Sequence, residues 1–144
     1  MTKQSPKPGR TSLHTPVRRQ FTTPASEALS ASFHYTADDP LAVSVELVAG
    51  ATSVTWVVAR ELLEAGMHGP SGLGDFRVWP SPPYQERGRR LYFSFDRPQG
   101  RATYTANLPV LRRWLDATYA LVPQGSECKL LDWEAVEADL LGNS

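Results

Sequence analysis

The chain is poor in the features that mark secreted and membrane proteins. Its single cysteine, Cys128, cannot form a disulfide within the chain, so we expect a reducing compartment. No uninterrupted apolar run approaches the about 20 residues that a membrane-spanning helix needs. Residues 1–30 carry Pro, Ser, Thr and basic residues in place of the apolar centre of a secretory signal. The sequence therefore predicts a cytoplasmic protein without direct contact to the membrane.

The chain also lacks an excess of either charge, because 15 Lys and Arg balance 15 Asp and Glu. The balance is uneven along the sequence: residues 1–30 hold five basic residues and one acid, and the remainder holds ten basic residues and fourteen acids. The Pro-rich start buries too little apolar area to order itself, so residues 1–11 are predicted to form a disordered basic tail. Residues 12–144 are predicted to form a single domain, since a chain of this length buries a sizeable core.

Strands are predicted where apolar residues recur at every second position. Strong alternation marks Leu29–Tyr35, Leu41–Val48 and Val54–Val58. Ser12–Phe21 alternates weakly and contains Pro16, which is compatible with an edge strand. The clearest hairpin pairs Arg89–Phe95 with Arg101–Asn107.

Helical periodicity marks three segments. Ala59–Gly66 has an apolar side and a charged side, and Gly66 is predicted to be the C′ residue that ends this helix. A second helix is predicted to start after the cap Asn107, and a third after the cap Asp132. The glycine-rich segment Gly66–Gly74 is predicted to be a loop.

The order of these elements indicates two tandem units, each made of antiparallel strands followed by a helix. Antiparallel hairpins with segregated helices are typical of α+β proteins rather than of doubly wound sheets. The predicted fold is therefore α+β, with two antiparallel sheets and three helices.

The sequence offers no group of residues that points to catalysis. His14, His34 and His68 are scattered, and none has a cysteine or carboxylate at metal-ligand spacing. Cys128 has no neighbouring histidine to activate it. The glycines from Gly69 to Gly74 follow a helix and precede a strand, which is the reverse of the order that binds phosphate in nucleotide sites. We therefore predict no enzyme activity, metal or cofactor.

One arrangement keeps nucleic-acid binding open as an alternative. Several tyrosines lie near arginines on the second predicted sheet, and bases stack on exposed aromatic rings flanked by Arg. These residues are Tyr84, Tyr92, Tyr104, Arg87, Arg89, Arg90 and Arg101. Packing of the rings in the core is favoured over this reading, because the structured part of the chain is net acidic and repels a phosphate backbone.

The run from Val54 to Pro80 closely resembles the SsgA-like proteins of sporulating actinomycetes. It reads Val-Thr-Trp-Val-Val-Ala-Arg-Glu-Leu-Leu-Glu-Ala-Gly and continues through Gly72, Gly74 and Asp75 to Trp79-Pro80. Further matches are Tyr35–Val43, Pro98–Ala102 and Val122–Glu127. The resemblance covers roughly residues 28–141 and departs at the N-terminus, where a basic, Pro-containing stretch replaces a short apolar strand.

This resemblance implies a non-enzymatic regulator of sporulation-specific cell division at the septum. It implies a protein–protein adaptor that helps to position or recruit the tubulin-like protein FtsZ, with other SsgA-like proteins as further partners. It also implies a homotrimer of Whirly-like fold with two antiparallel sheets. Because Whirly-type folds occur in single-strand nucleic-acid binders, single-stranded nucleic acid remains the alternative partner, although the acidic domain makes it the less favoured one.

Seven residues in the matched run are the candidate interaction residues: Trp56, Arg60, Gly72, Gly74, Asp75, Arg77 and Trp79. Asp75 is expected to cap the segment or to pair with Arg77 or Arg60. A purely architectural role for this segment stays open as the alternative.

Apolar residues at nominally outward strand positions predict an interface between copies of the chain. These residues are Val48, Val57 and Tyr92, and three short helices cover little of a sheet.

Overall fold

A computed structural model describes residues 9–20, 29–82, 88–98 and 100–127 of the chain. Within these residues the chain forms eight strands and two helices. In chain order they are β1 (Arg10–Gln20), β2 (Leu29–Thr36), β3 (Ala42–Ala49), β4 (Thr52–Ala59), α1 (Arg60–His68), β5 (Ser71–Leu73), β6 (Phe76–Pro80), β7 (Arg90–Arg97), β8 (Gly100–Asn107) and α2 (Leu108–Leu121). Cys128 and the third predicted helix, from Asp132, lie outside the described residues.

The strands form one antiparallel sheet in the order β4-β3-β2-β1-β8-β7-β6-β5. The prediction of two tandem antiparallel sheets, which the Whirly-type resemblance shared, is therefore wrong. The two predicted units are joined by hydrogen bonding between β1 and β8, whose register runs from Val17 opposite Ala106 to Gln20 opposite Thr103. No local pattern marks a pairing between segments so far apart in the chain.

Strand β1 lies in the middle of the sheet, so the edge position considered for Ser12–Phe21 is wrong. Pro16 is tolerated because β8 pairs with β1 only from Val17 onward, which leaves the strand unpaired on that side at Pro16. Residues 1–8 of the predicted tail lie outside the described residues, and the division of the chain at residue 11 stays a prediction.

The sheet is strongly curled into a half-barrel. Five strand spacings, or about 24 Å on a flat sheet, separate β4 from β7. The ring of Trp56 in β4 nevertheless stacks on Phe95 in β7, with 3.8 Å between the centroids. We call the concave face that carries these two rings the inner face, and the convex face that carries His34, Val57 and Tyr92 the outer face.

Both helices pack on the inner face. In α2, Asn107 accepts a hydrogen bond from the backbone N–H of Val110 (3.0 Å), which confirms the predicted cap. The buried side of α2 carries Trp114, whose ring lies 5.8 Å from that of Phe33 in β2. This helix therefore fills the hollow of the half-barrel.

Helix α1 closes the opening between the two edges of the sheet. The prediction that Gly66 ends this helix is wrong, because α1 continues to His68 and its C-cap is Gly69. Gly66 is buried in the helix against Val78 of β6, and a Cβ there would lie 2.9 Å from the Val78 Cβ and closer still to both methyl groups. Close packing of helix on strand, not a turn, requires glycine at this position.

Candidate functional site

Strands β5 and β6 form a hairpin at one edge of the sheet, and β5 lies within the segment that was predicted to be a loop. Leu73 pairs with Phe76, so Gly74 and Asp75 form a two-residue turn. Gly74 has φ +62°, in the left-handed region that favours glycine. The glycine-rich sequence therefore makes a tight hairpin, and its loop assignment is wrong for Ser71–Leu73.

Four of the seven candidate residues come together on this hairpin: Gly72, Gly74, Asp75 and Arg77 are all exposed. Gly72 lies opposite Arg77, and a Cβ on Gly72 would lie 3.3 Å from the Arg77 Cγ. On the inner face, Phe76 is 7% exposed and its ring lies 4.9 Å from that of Phe95. The hairpin thus presents an acid and a base to solvent on a support anchored in the core.

Trp79 lies at the end of β6 on the outer face. Its ring stacks on Tyr92 of β7, with 5.5 Å between the centroids and 12° between the ring planes. The two rings line a mainly apolar pocket of about 590 Å³ together with Pro70, Pro80 and Pro82. Trp79 is therefore half-buried and forms one wall of a depression beside the hairpin.

Trp56 is not part of the exposed hairpin surface; its ring lies on the inner face of the sheet and supports the hairpin from there. It belongs to the opposite edge strand β4, yet its ring contacts Phe95, which in turn contacts Phe76 of the hairpin. The curl of the sheet creates this connection, which no spacing in the sequence indicates.

Arg60 is the first residue of α1 and is 1% exposed. One terminal nitrogen, Nη1, donates to the backbone carbonyls of Thr118 (3.1 Å) and Val122 (2.8 Å) at the end of α2. The other, Nη2, donates to Glu127 Oε1 at 2.6 Å, and this bond holds the pKa of the Glu127 carboxyl below its usual value. The structure therefore pairs Arg60 with Glu127, not with Asp75, and places it as a clamp between the helices.

The aromatic rings of Tyr35 and Tyr119 enclose the same guanidinium. Its central carbon lies 4.8 Å from the Tyr35 ring centroid and 4.4 Å from that of Tyr119. Cations over aromatic faces are stabilised by the ring quadrupole, which offsets part of the cost of burying the charge.

Sequence reasoning missed an ion-pair cluster between the two helices. Arg112 of α2 donates to both carboxylate oxygens of Glu64 in α1, at 2.7 and 2.8 Å, and also to Asp116 at 2.6 Å. The imidazole of His68 lies 2.7 Å from the same Glu64 carboxylate. The i,i+4 spacing of Glu64 and His68 was visible in the sequence, whereas the contact with Arg112 depends on tertiary packing.

The pKa of Glu64 is lowered to about 2, mainly by the hydrogen bonds from Arg112 and against the opposing effect of burial. Because its pKa is lower in the folded than in the unfolded chain, the carboxylate stabilises the fold above pH 4.5, and this contribution disappears as the pH falls toward 2. We expect Glu64→Gln to lower the free energy of unfolding by about 1–2 kcal/mol at pH 7. The difference from wild type should narrow below pH 4.5. Urea unfolding between pH 3 and 7 measures this difference.

Glu61→Gln, at an exposed position in the first turn of the same helix, is the control and should lose no more than about 0.5 kcal/mol, the small contribution of an exposed acid near a helix N-terminus. A Glu64→Gln deficit that stays constant down to pH 3 would contradict the assigned role.

The edge strand β4 exposes apolar side chains on both faces. Val57 is 68% exposed and Val54 is 49% exposed, and Leu41 in the turn before β3 is 47% exposed. None of the eight residues of β4 is charged or a proline. Of the other outward residues singled out in the sequence, Val48 is half-buried and Tyr92 is stacked on Trp79.

The histidines lie apart from any cluster of metal ligands. His14 hydrogen-bonds Ser32, and His34 hydrogen-bonds Ser12 at 2.8 Å, both across the β1–β2 pair. Within residues 9–20, 29–82, 88–98 and 100–127, no group of three His, Cys, Asp or Glu side chains is placed to hold a metal ion. No helix among those residues is long and apolar enough to cross a membrane.

The tyrosines and arginines considered for nucleic-acid binding are divided between the two faces of the sheet. Tyr104 lies opposite Phe93 on the inner face and is 8% exposed, whereas Tyr92 lies on the outer face. Arg90 and Arg101 share the outer face with Tyr92. Tyr84 and Arg87 lie outside the described residues.

Comparison with known proteins confirms the resemblance seen in the sequence. The model of the family described as "Streptomyces sporulation and cell division protein, SsgA" matches residues 29–127. The sporulation-specific cell division protein SsgB of Kineococcus radiotolerans is 36% identical over 125 residues, which cover 87% of this chain and 76% of that protein. SsgB of Thermobifida fusca is 36% identical over 134 residues, which cover 91% and 96%.

Two solved structures share the fold. The crystal structure of an SsgA-like sporulation-specific cell division protein from Thermobifida fusca superposes with a TM-score of 0.79 at 31% identity, covering 94% of this chain and 98% of that one. The second, with a TM-score of 0.76 at 31% identity, covers 89% of this chain and all of that one. Its description relates mutations in SsgB to longitudinal cell division during sporulation of Streptomyces coelicolor.

Proposed function

We propose that this chain, which belongs to the SsgA family of sporulation and cell division proteins, acts in sporulation septation as a non-enzymatic protein–protein adaptor. Its proposed task is to help position or recruit FtsZ at septum sites in the cytoplasm, together with other SsgA-like proteins. The observation that carries the proposal is the extent of the family match, which runs from β2 through α2 to Glu127. The names of the relatives support the role in cell division, and co-sedimentation with FtsZ filaments tests the recruitment of FtsZ.

We place the partner-binding surface on the β5–β6 hairpin. Asp75 and Arg77 are exposed there and form no ion pair with any described residue, so both charges are available to a partner. Phe76 fixes the hairpin to the core, so little conformational freedom is lost when a partner binds. A rigid support with unpaired charges is the property expected of a docking element.

The double variant Asp75→Ala, Arg77→Ala tests this placement without disturbing the core. Because both side chains are exposed, we expect its melting temperature to match that of wild type. Loss of two interface charges is expected to weaken binding to FtsZ by about tenfold or more. Co-sedimentation with FtsZ filaments across a range of concentrations measures the change.

The matched control is Glu61→Ala, Arg113→Ala, which removes one acid and one base from exposed positions on the helices. It should bind as wild type does. Substituting Gly72 or Gly74 by alanine is less informative, since a Cβ on Gly72 would crowd Phe76 O at 3.2 Å and Gly74 has φ +62°. Normal binding by the folded Asp75, Arg77 variant would reduce the hairpin to an architectural element.

We further propose that copies of the chain associate into a homotrimer through β4. An uncharged edge strand without proline is normally covered by another element, because its free N–H and C=O groups pair readily with a further strand. Val57 and Val54 add exposed apolar area to that edge. A second copy of the chain would cover both.

Light scattering at micromolar concentration is expected to give about three times the 15.9 kDa of one chain. Val57→Lys places a charge in the proposed interface and should shift the mass toward that of a single chain. Ala51→Lys, in the exposed turn before β4, is the control and should leave the mass unchanged. A wild-type mass near that of one chain would rule out the assembly.

A further inference from the structure

Two arginines of the outer face come together where β1, β7 and β8 lie side by side. Arg18 of β1 is opposite Thr105 of β8, and Thr105 is opposite Tyr92 of β7. Arg90, two residues before Tyr92, donates from Nε to Thr105 Oγ1 (3.1 Å) and from Nη2 to the Thr105 carbonyl (2.9 Å). Arg18 and Arg90 both line a pocket of about 300 Å³.

The positive charges of these two arginines are not neutralised by any described part of the chain. No carboxylate among the described residues lies within ion-pair distance of Arg18 or Arg90. The two guanidinium groups carry like charges at one pocket and therefore repel each other. Burial, and then the positive charge of Arg18, lower the pKa of the Arg90 guanidinium. An anion in the pocket would relieve this repulsion and accept charge-assisted hydrogen bonds from both.

Arg90 is already held in position for such a ligand. Its two bonds to Thr105 fix the guanidinium plane, so ordering this side chain costs little when a ligand binds. Its Nη1 group makes no hydrogen bond with the described residues and is available as a donor. Arginine forks match the geometry of phosphate oxygens better than lysine does.

An aromatic platform adjoins the arginine pair on the same face. Tyr92 lies two residues after Arg90 on β7, a separation of about 7 Å along the strand. Its stacked partner Trp79 extends the platform across β6 toward the apolar pocket of about 590 Å³. The separation of about 7 Å between Arg90 and Tyr92 along β7 is comparable with the distance between the phosphate and the base of a nucleotide.

We infer that Arg18 and Arg90 form a binding site for a phosphate group, with Tyr92 and Trp79 receiving the base attached to it. The ligand class is a nucleotide, either free or as a unit of single-stranded nucleic acid. Both ligands would bind in the same way, because in each a base stacks on an aromatic side chain beside arginines that bind the phosphate. This site lies on the outer face and is independent of the adaptor function proposed above.

Binding of adenosine monophosphate, inorganic phosphate and a fluorescein-labelled ten-base oligothymidylate to the full chain tests the inference. Arg18→Gln and Arg90→Gln are each expected to weaken binding of all three probes by about tenfold or more. Tyr92→Leu should weaken the two nucleotide probes but leave inorganic phosphate unaffected. Arg113→Gln, which removes an exposed charge from α2, is the matched control and should stay within twofold of wild type.

Arg18→Gln decides the result if Arg90→Gln fails to fold, since the Arg18 side chain makes no hydrogen bond or ion pair with the described residues and the substitution leaves the backbone pairing with Thr105 intact. At low salt this variant should melt no lower than wild type, because it removes a repulsion. If the oligonucleotide binds more tightly than adenosine monophosphate and its binding weakens with salt, the ligand is single-stranded nucleic acid. If adenosine monophosphate binds as tightly as the oligonucleotide, the ligand is a free nucleotide.

Three results would overturn the site. They are absence of binding by the wild type at millimolar probe, equal loss in Arg113→Gln, and wild-type affinity in Arg18→Gln. Nucleotide binding that Tyr92→Leu leaves unchanged would overturn the part assigned to the aromatic pair.

Discussion

Arg60→Met is expected to lower the free energy of unfolding by about 3–5 kcal/mol. Methionine fills a similar volume but leaves the Glu127 carboxylate without its cation. It also removes the donor that the carbonyls of Thr118 and Val122 share at the end of α2. A loss of this size corresponds to a fall in melting temperature on the order of 10 °C.

Urea and thermal unfolding of the purified variant measure this loss. Arg113→Met, at an exposed position of α2, should stay within about 0.5 kcal/mol of wild type. If Arg60→Met and Arg113→Met were equally stable, Arg60 would not be the clamp between the helices, and its place among the candidate interaction residues would regain support.

Gly66→Ala is expected to destabilise the protein by about 1–3 kcal/mol. Alanine favours a helix over glycine by about 1 kcal/mol, so helix propensity alone predicts the opposite sign. The clash with Val78 outweighs that gain, because the Val78 Cβ, only 2.9 Å away, is fixed by the β6 backbone and cannot rotate aside.

Val78→Ala removes both methyl groups that crowd the new Cβ. The double variant should therefore lose less than the sum of the two single losses, which a double-mutant cycle measures directly. Gly69→Ala is the control, since nothing lies within 4 Å of a Cβ there and the backbone is extended. A Gly66→Ala variant as stable as wild type would show that α1 moves away from β6 without cost.

Local features of the fold could be predicted from the sequence because their causes are local. Alternation of apolar residues predicted β2, β3, β4 and the β7–β8 hairpin, since one side of each strand must face the core. Asn107 predicted the start of α2 because its side chain accepts from a backbone N–H three residues later. These signals lie within a few residues of each other in the chain.

The joining of the sheet could not be predicted, because it depends on segments far apart. Period-two alternation gives a strand its faces but not its neighbours, so nothing near Val17 indicates Ala106 as its partner. The contact between Trp56 and Phe95 then follows from the curl of the completed sheet.

The candidate residues also differ in whether their role follows from nearby residues or from contacts far along the chain. The exposed turn at Gly74 and Asp75 follows from local glycine chemistry, and the sequence singled out both residues. The burial of Arg60 follows from Glu127 and the end of α2, which meet it only in the folded chain. Spacing alone does not distinguish an arginine that binds a partner from one that holds two helices together.

Co-sedimentation with FtsZ filaments tests the adaptor function most directly. At micromolar concentrations we expect the wild-type protein to pellet with filaments of FtsZ from the same organism. The Asp75→Ala, Arg77→Ala variant should remain largely in the supernatant at the same melting temperature. Wild-type protein that stays in the supernatant at every FtsZ concentration would contradict the proposal that this chain recruits FtsZ through the β5–β6 hairpin.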